Sequence, residues 1–204
     1  MSDRLIVPIV EGHSEVESIP ILLRRILSDD GLHQLTASIA RPFRVKRYRI
    51  VKEGELEKEI KKARYLRPGC KCILVILDSE EDCPAELGPR LLKRAEAAHS
   101  DLHICIVLAN REFEAWFLGS MESLRGSCGI RIDATFEKDP EGPRDAKGRL
   151  SELMTGQRRY SEVVDQPRLI SVVDLQACHN RCPSFRKFAR DAESLFRAVL
   201  AEQD

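Results

Sequence analysis

The apolar positions fall into short unbroken runs separated by amphipathic stretches. Residues 5–10 (Leu-Ile-Val-Pro-Ile-Val), 72–77 (Cys-Ile-Leu-Val-Ile-Leu) and 102–109 are apolar at nearly every position. Such runs are expected of strands buried on both faces of a parallel sheet. Between them, residues 20–27 place Ile21, Leu22, Leu23, Ile26 and Leu27 at helical spacing, and residues 55–66 do the same with Leu56, Ile60 and Ala63. Residues 84–98 read as a further helix. Residues 43–51 are β-rich but basic, with Arg44, Lys46, Arg47 and Arg49, and read as a strand near a sheet edge. Strands alternating with helices imply an α/β fold: a Rossmann-like, mostly parallel four-stranded sheet flanked by helices and joined by right-handed crossovers.

Punctuation sets the boundaries. Glu11 follows the first run, and Gly12 allows a sharp turn. Ser14 and Glu17 have capping-box spacing, while Pro20 fits a first helical turn, so the helix is expected to begin properly near Ser18. Asp29, Asp30 and Gly31 end it, and Pro68-Gly69 stops the next one. Residues 113–118 open another helix. Residues 133–148 are polar with two prolines and two glycines and read as a loop or flexible insertion. Residues 184–200 form a last amphipathic helix with Phe185, Phe188, Ala192, Leu195, Phe196 and Val199 on one face. The expected organisation is an α/β core over residues 1–125 and a C-terminal helical annex over 126–204. The annex should pack on the core, because 204 residues give too little interior for two domains.

Composition narrows the function classes. Hydrophobic residues make up 43% and charged residues 32%, ordinary values for a globular protein. Lys plus Arg equals Asp plus Glu at 33 each, so no global charge points to nucleic acid or membrane, although a local basic face remains open. No apolar run approaches the roughly 20 residues of a membrane span. The opening Met-Ser-Asp-Arg shows no signal-peptide pattern, which suggests the cytoplasm. The seven cysteines are scattered. Cys70 with Cys72, and Cys178 with His179 and Cys182, lack the C-x2-C pairing of zinc ribbons, and all seven read as reduced thiols. Neither G-x-G-x-x-G nor G-x-x-x-x-G-K-[ST] is present, which argues against nucleotide binding by those routes.

The remaining chemistry is acidic. Three buried strands end in carboxylates: Glu11; Asp78 with Glu80 and Asp82; Glu112 with Glu114. In a parallel sheet these ends converge at the edge where open α/β sheets place ligands. Converging carboxylates repel unless a cation neutralises them, and oxygen-only ligands suit Mg²⁺ or Mn²⁺. Any single one of these acids can equally be a helix cap. Val10-Glu11-Gly12-x-x-Glu15 followed by Leu77-Asp78-x-Glu80 resembles the Toprim domain of topoisomerases, bacterial primases and overcoming-lysogenisation-defect nucleases. The second Asp of that family's Asp-x-Asp appears here as Glu80. The chain is more closely similar to an uncharacterised bacterial Toprim-like family described only as a domain of unknown function. That resemblance is carried by the same turn, the acidic segment before Cys83-Pro84, residues 111–117 (Arg-Glu-Phe-Glu-Ala-Trp-Phe) and residues 184–188 (Ser-Phe-Arg-Lys-Phe). The resemblance implies the fold and a metal site, with Glu11, Glu15, Asp78, Glu80 and Lys147 as catalytic candidates. Glu11, Asp78, Glu80, Asp82, Glu112 and Glu114 are the expected ligands.

Other residues carry two readings each. His13 is an acid/base candidate or an exposed turn residue. Lys147 can swing from the loop to neutralise a phosphoryl charge or simply be solvated. The basic 43–51 segment can track a nucleic-acid backbone or discourage strand pairing. Trp116 is expected to anchor the core. Two functions follow. One is a Mg²⁺-dependent phosphodiester enzyme acting on nucleic acid as a nuclease, possible as a homodimer. The other is a non-catalytic Toprim-like docking module. By resemblance, its companion would be a partner ATPase in a bacterial defence module.

Overall fold

The structure is a computed structural model that describes residues 5–29, 31 and 39–201. Its strands are β1 (Leu5–Val10), β2 (Phe43–Arg44), β3 (Cys70–Asp78) and β4 (His103–Ala109). Its helices are α1 (Glu15–Asp29), α2 (Arg47–Val51), α3 (Glu55–Leu66), α4 (Pro84–Ala98), α5 (Ala115–Gly119), α6 (Ala146–Glu152), α7 (Glu162–Val172), α8 (Leu175–Arg181) and α9 (Pro183–Ala201). The four strands form one all-parallel sheet in the order β2-β1-β3-β4.

The apolar runs resolve into two faces by their period of two. Ile6, Val10, Cys72, Leu74, Ile76, Cys105 and Val107 join one cluster with residues of α1, α5 and α7–α9. Val7, Ile9, Ile73, Val75, Leu77, Ile104, Ile106 and Leu108 join the other with α3 and α4. Successive side chains of a strand point to opposite faces, so an unbroken apolar run can serve both layers at once. Helix α9 lies across β4, β3 and β1, and its Phe185, Phe188, Leu195, Phe196 and Val199 are buried. The C-terminal residues therefore form one of the two helical layers. Trp116 anchors this face as expected, with Phe113, Phe185 and Phe188 at centroid distances of 4.6, 5.1 and 5.3 Å.

Several local expectations are corrected. The strand expected over 43–51 is only Phe43–Arg44, and α2 follows it. The basic residues do not share a strand face: Arg47 turns to the end of β3, and Arg49 pairs with Glu55 and Glu59. Helix α1 begins at Glu15, with Pro20 inside it. It can start early because the Glu15 carboxylate accepts the Glu11 and Gly12 amides, each at 3.0 Å. Asp30, expected at its end, lies outside the described residues. The 133–148 stretch is irregular but pinned. Glu141 is buried and accepts from the Ser184 amide at 2.9 Å, and Arg181 donates to the Phe136 and Lys138 carbonyls. Its last residues already belong to α6, which carries Lys147. Among the described residues no helix is long and apolar enough to cross a membrane.

Gly119 ends α5 against α8. A Cβ there would collide with the Cys182 sulfur, whose thiol faces the Ala115 carbonyl. Gly119→Ala should therefore destabilise the protein by about 1–3 kcal/mol, the usual cost of overpacking. Adding Cys182→Ala should recover most of that loss in a double-mutant cycle of denaturant melts. Additive losses would show that the contact is not the cause.

Candidate functional site

The ends of β1, β3 and β4 meet at the carboxyl edge of the sheet. Two of the turns leaving it are strained. Glu80 and Arg111 are non-glycine residues in the left-handed region, with φ of 52° and 62°. They are held there by bonds between the turns. The Ser79 amide donates to the Ala109 carbonyl, the Glu80 amide to the Arg111 carbonyl, and the Arg111 amide to Ser79 Oγ at 2.8 Å. Backbone strain of this kind collects at functional sites.

Behind these turns lies an inner group of acids. Glu15 and Glu114 are buried at 6% and 1% exposure, and Asp78 accepts the Phe113 amide at Oδ1 over 2.8 Å. Burial raises the Asp78 pKa well above the usual carboxylate range, and the charges of Glu114 and Glu15 raise it further. Burial likewise pushes Glu15 and Glu114 up to about 7. At Glu15 the neighbouring Glu114 and Glu11 add to the rise, while the amides it accepts oppose it. At Glu114 the charge of Lys147 and the Tyr160 hydroxyl work the other way.

Each member is positioned by a specific device. A Cβ at Gly12 would stand 2.9 Å from Glu15 Oε1, so a larger residue here would displace the carboxylate from the Glu11 and Gly12 amides. Glu114 stands at the N-cap of α5, and its Oε1 accepts from Tyr160 at 2.9 Å and from Gln166 Nε2 at 3.3 Å. Gln166 in turn accepts from Ser18 on α1 at 2.8 Å. Lys147, in the first turn of α6, lies 3.9 Å from Glu114 Oε2 and forms a tight ion pair with Glu162. Burial disfavours its ammonium, but Glu114 and Glu162 outweigh that and hold its pKa above the ordinary lysine value.

The outer acids behave differently. Glu80 and Asp82 sit on the exposed turn after β3, and Arg47 pairs with both, at 3.4 Å for Glu80. Arg47 also donates to the Asp78 carbonyl at 3.0 Å. Glu11 faces this group. Burial raises its pKa, Glu80 is the acid that adds to the rise, and Arg47 lowers it. Glu112 stands between the groups, accepting the Lys147 amide at 3.2 Å. The acids that raise the Asp78 pKa are thus Glu114 and Glu15, while Glu80 and Asp82, on the same segment as Asp78, are held by Arg47. A 260 Å³ cleft opens beside them, lined by Asp78, Glu80, Glu112, Arg111, Arg144 and Lys147.

Tyr160, Gln166 and Glu162 were missed from sequence. Tyr160 bonds an acid 46 positions away, and no local spacing encodes that contact. Arg111 belongs to the 111–117 segment that stands out in the sequence, but its place on the rim depends on the turn geometry. His13 is exposed.

A family model described as a domain of unknown function (DUF4276) matches residues 10–191. The chain belongs to this family. No curated protein and no solved structure matches it. The DUF4276 match runs from the last residue of β1 through β2, β3, β4 and the acidic edge to the first half of α9, so the inner acids and their supports all lie within it.

The fit of these residues to a cation can be judged from their oxygens. Among the described residues no three His, Cys, Asp or Glu side chains stand already arranged as metal ligands. Yet two buried carboxylate oxygens, Glu11 Oε2 and Glu114 Oε2, have no hydrogen-bond partner. Orphaned hard donors beside further carboxylates suit Mg²⁺ or Mn²⁺ rather than a thiolate-seeking metal.

Because Glu15 and Glu114 titrate higher in the folded protein than in the unfolded chain, the native state binds extra protons between about pH 4.5 and 7. Their effect is absent below that window, and stability falls as pH rises through it. Glu114→Gln should flatten this fall and leave the metal-free protein about 1–3 kcal/mol more stable than wild type at pH 8. Melts at pH 5 and pH 8 in the presence of a chelator measure this. A variant no more stable at pH 8 would contradict the assignment of repulsion.

Proposed function

We propose that the chain is a divalent-cation-dependent enzyme of phosphodiester chemistry on nucleic acid, a Toprim-like nuclease using Mg²⁺ or Mn²⁺. The observation that carries this reading is the pair of buried, unbonded oxygens on Glu11 and Glu114 at the carboxyl edge of a parallel sheet. An unsatisfied buried acceptor costs roughly 1–3 kcal/mol, more when charged, and a cation would remove that cost. Asp78, Glu114 and Glu15 are the residues that would hold it, and Glu11 with Glu80 supplies the neighbouring set. A bound ion of this class polarises a phosphoryl oxygen and makes a bound water a stronger nucleophile.

The chain's own groups would do the rest. Tyr160 and Gln166 fix the orientation of Glu114. Arg111 and Arg144 rim the cleft, both facing Glu81, at 4.0 and 3.2 Å. These guanidiniums match phosphate oxygens better than they match one exposed carboxylate. Phosphate binding there would use local charge, as a chain of zero net charge must.

Asp78→Asn tests the reading. Asn keeps an acceptor for the Phe113 amide but removes a charge the ion needs. Wild type should gain melting temperature with millimolar Mn²⁺ by mass action on the native state and should cut nucleic acid. The variant should melt no lower than wild type without metal, gain little with it and not cut. If wild type shows no metal shift with Mn²⁺ or Mg²⁺, the enzyme reading falls and the domain is a docking module for a partner such as an ATPase.

A further inference from the structure

We infer that Lys147 is a resident counter-ion that competes with a divalent cation for Glu114, and that loading the centre draws its ammonium away from Glu114 and leaves it on Glu162 alone. This rests on the metal reading above. Glu114 Oε2 is buried without a hydrogen bond, and Lys147 Nζ lies 3.9 Å from it, close enough to neutralise it but too far to donate to it. The same ammonium already holds Glu162, at the start of α7, in a tight ion pair. Glu114 is 1% exposed in its side chain and Glu162 is 41% exposed, so the lysine spans an inner and an outer acid.

The backbone under Lys147 is fixed. Asp145 caps α6 through the Gly148 amide at 2.7 Å, and the Lys147 amide donates to Glu112 at 3.2 Å. Only the flexible four-carbon stem has freedom to move, and its alternative partner is in place. An ammonium and a divalent cation cannot both sit against Glu114 Oε2, because like charges in contact with one partly desolvated carboxylate repel strongly. The chain thus carries a monovalent cation of its own where the ion would bind. Glu162 retains that cation when the ion arrives. This accounts for a half-exposed lysine beside a fully buried acid whose free oxygen it does not hydrogen-bond.

Calorimetric titration of Mn²⁺ alone into the full chain tests the inference, without nucleic acid. Lys147→Met should bind Mn²⁺ about tenfold more tightly than wild type, and Glu162→Gln should bind it more weakly, since the lysine then loses its outer partner and is held more firmly by Glu114. Lys147→Gln replaces the methionine variant if that one does not fold. A second readout uses wild type only. Modification of Lys147 by an amine-directed reagent, followed by peptide mass spectrometry, should speed up at saturating Mn²⁺, because the ammonium loses the Glu114 charge that favours its protonated form. If wild type binds Mn²⁺ but Lys147→Met binds no more tightly, or labelling does not rise, the competition is refuted while the metal reading stands. If neither wild type nor the lysine variants bind Mn²⁺, both fall together.

Discussion

Mutual repulsion among three clustered carboxylates, Glu15 and Glu114 buried and Asp78 half-buried, is the constraint on which this molecule turns. Glu15, Asp78 and Glu114 come from α1, β3 and the start of α5, and the parallel sheet delivers all three to one edge. Burial and like charge act in the same direction there, so each holds its proton more tightly than a solvated acid. A folded chain accepts this only with local compensation. Here it comes from the Glu11 and Gly12 amides, the Phe113 amide, Tyr160 with Gln166, and Lys147. Each of these offsets part of the cost, and one oxygen of the trio, Glu114 Oε2, is still left without a hydrogen bond, as is Oε2 of the neighbouring Glu11.

The second layer of acids is managed by charge rather than by protons. Arg47 is mostly buried, yet it reaches Glu80, Asp82 and two carbonyls of the turn after β3. The guanidinium suits that task because its donors are spread in a rigid plane. With the bonds between the turns, it holds Glu80 and Arg111 in a conformation that side chains resist. The edge therefore combines a low-dielectric interior set of acids with an exposed, ion-paired outer set.

Packing on the α1 and α5 face of the sheet supports the same edge. Trp116 donates to Ser184 at 2.8 Å, Ser184 donates to Glu141, and Glu141 accepts from Asn110 at 3.3 Å. This buried chain of bonds ties α9 and the irregular 133–148 segment to the end of β4. Such networks rigidify a core when every member is satisfied. Glu114 lies two residues before Trp116, so the aromatic cluster that stabilises the fold also fixes the backbone of the most buried acid.

Much of the architecture was legible along the chain, because it depends on local periodicity. Short runs apolar at nearly every position, six to eight residues long and bounded by turn signals, fit strands covered on both sides, and β1, β3 and β4 follow from that. The acids at their ends were legible for the same reason, since a parallel sheet sends all its carboxyl ends to one edge. Residues 43–51 misled because β-branched and basic residues alternate there, whereas the fate of Arg47 depends on the distant β3 turn. Glu15 and Gly12 were visible as a motif, but the close approach of carboxylate to backbone beside that glycine was not. Only the tertiary structure decided which acids share a charge environment. It paired Asp78 with Glu114 and Glu15, turned Glu80 and Asp82 to Arg47, and brought Tyr160, Gln166 and Glu162 from α7 and its approach. Those contacts join positions far apart in sequence, and their energies depend on burial, which no spacing of residues records.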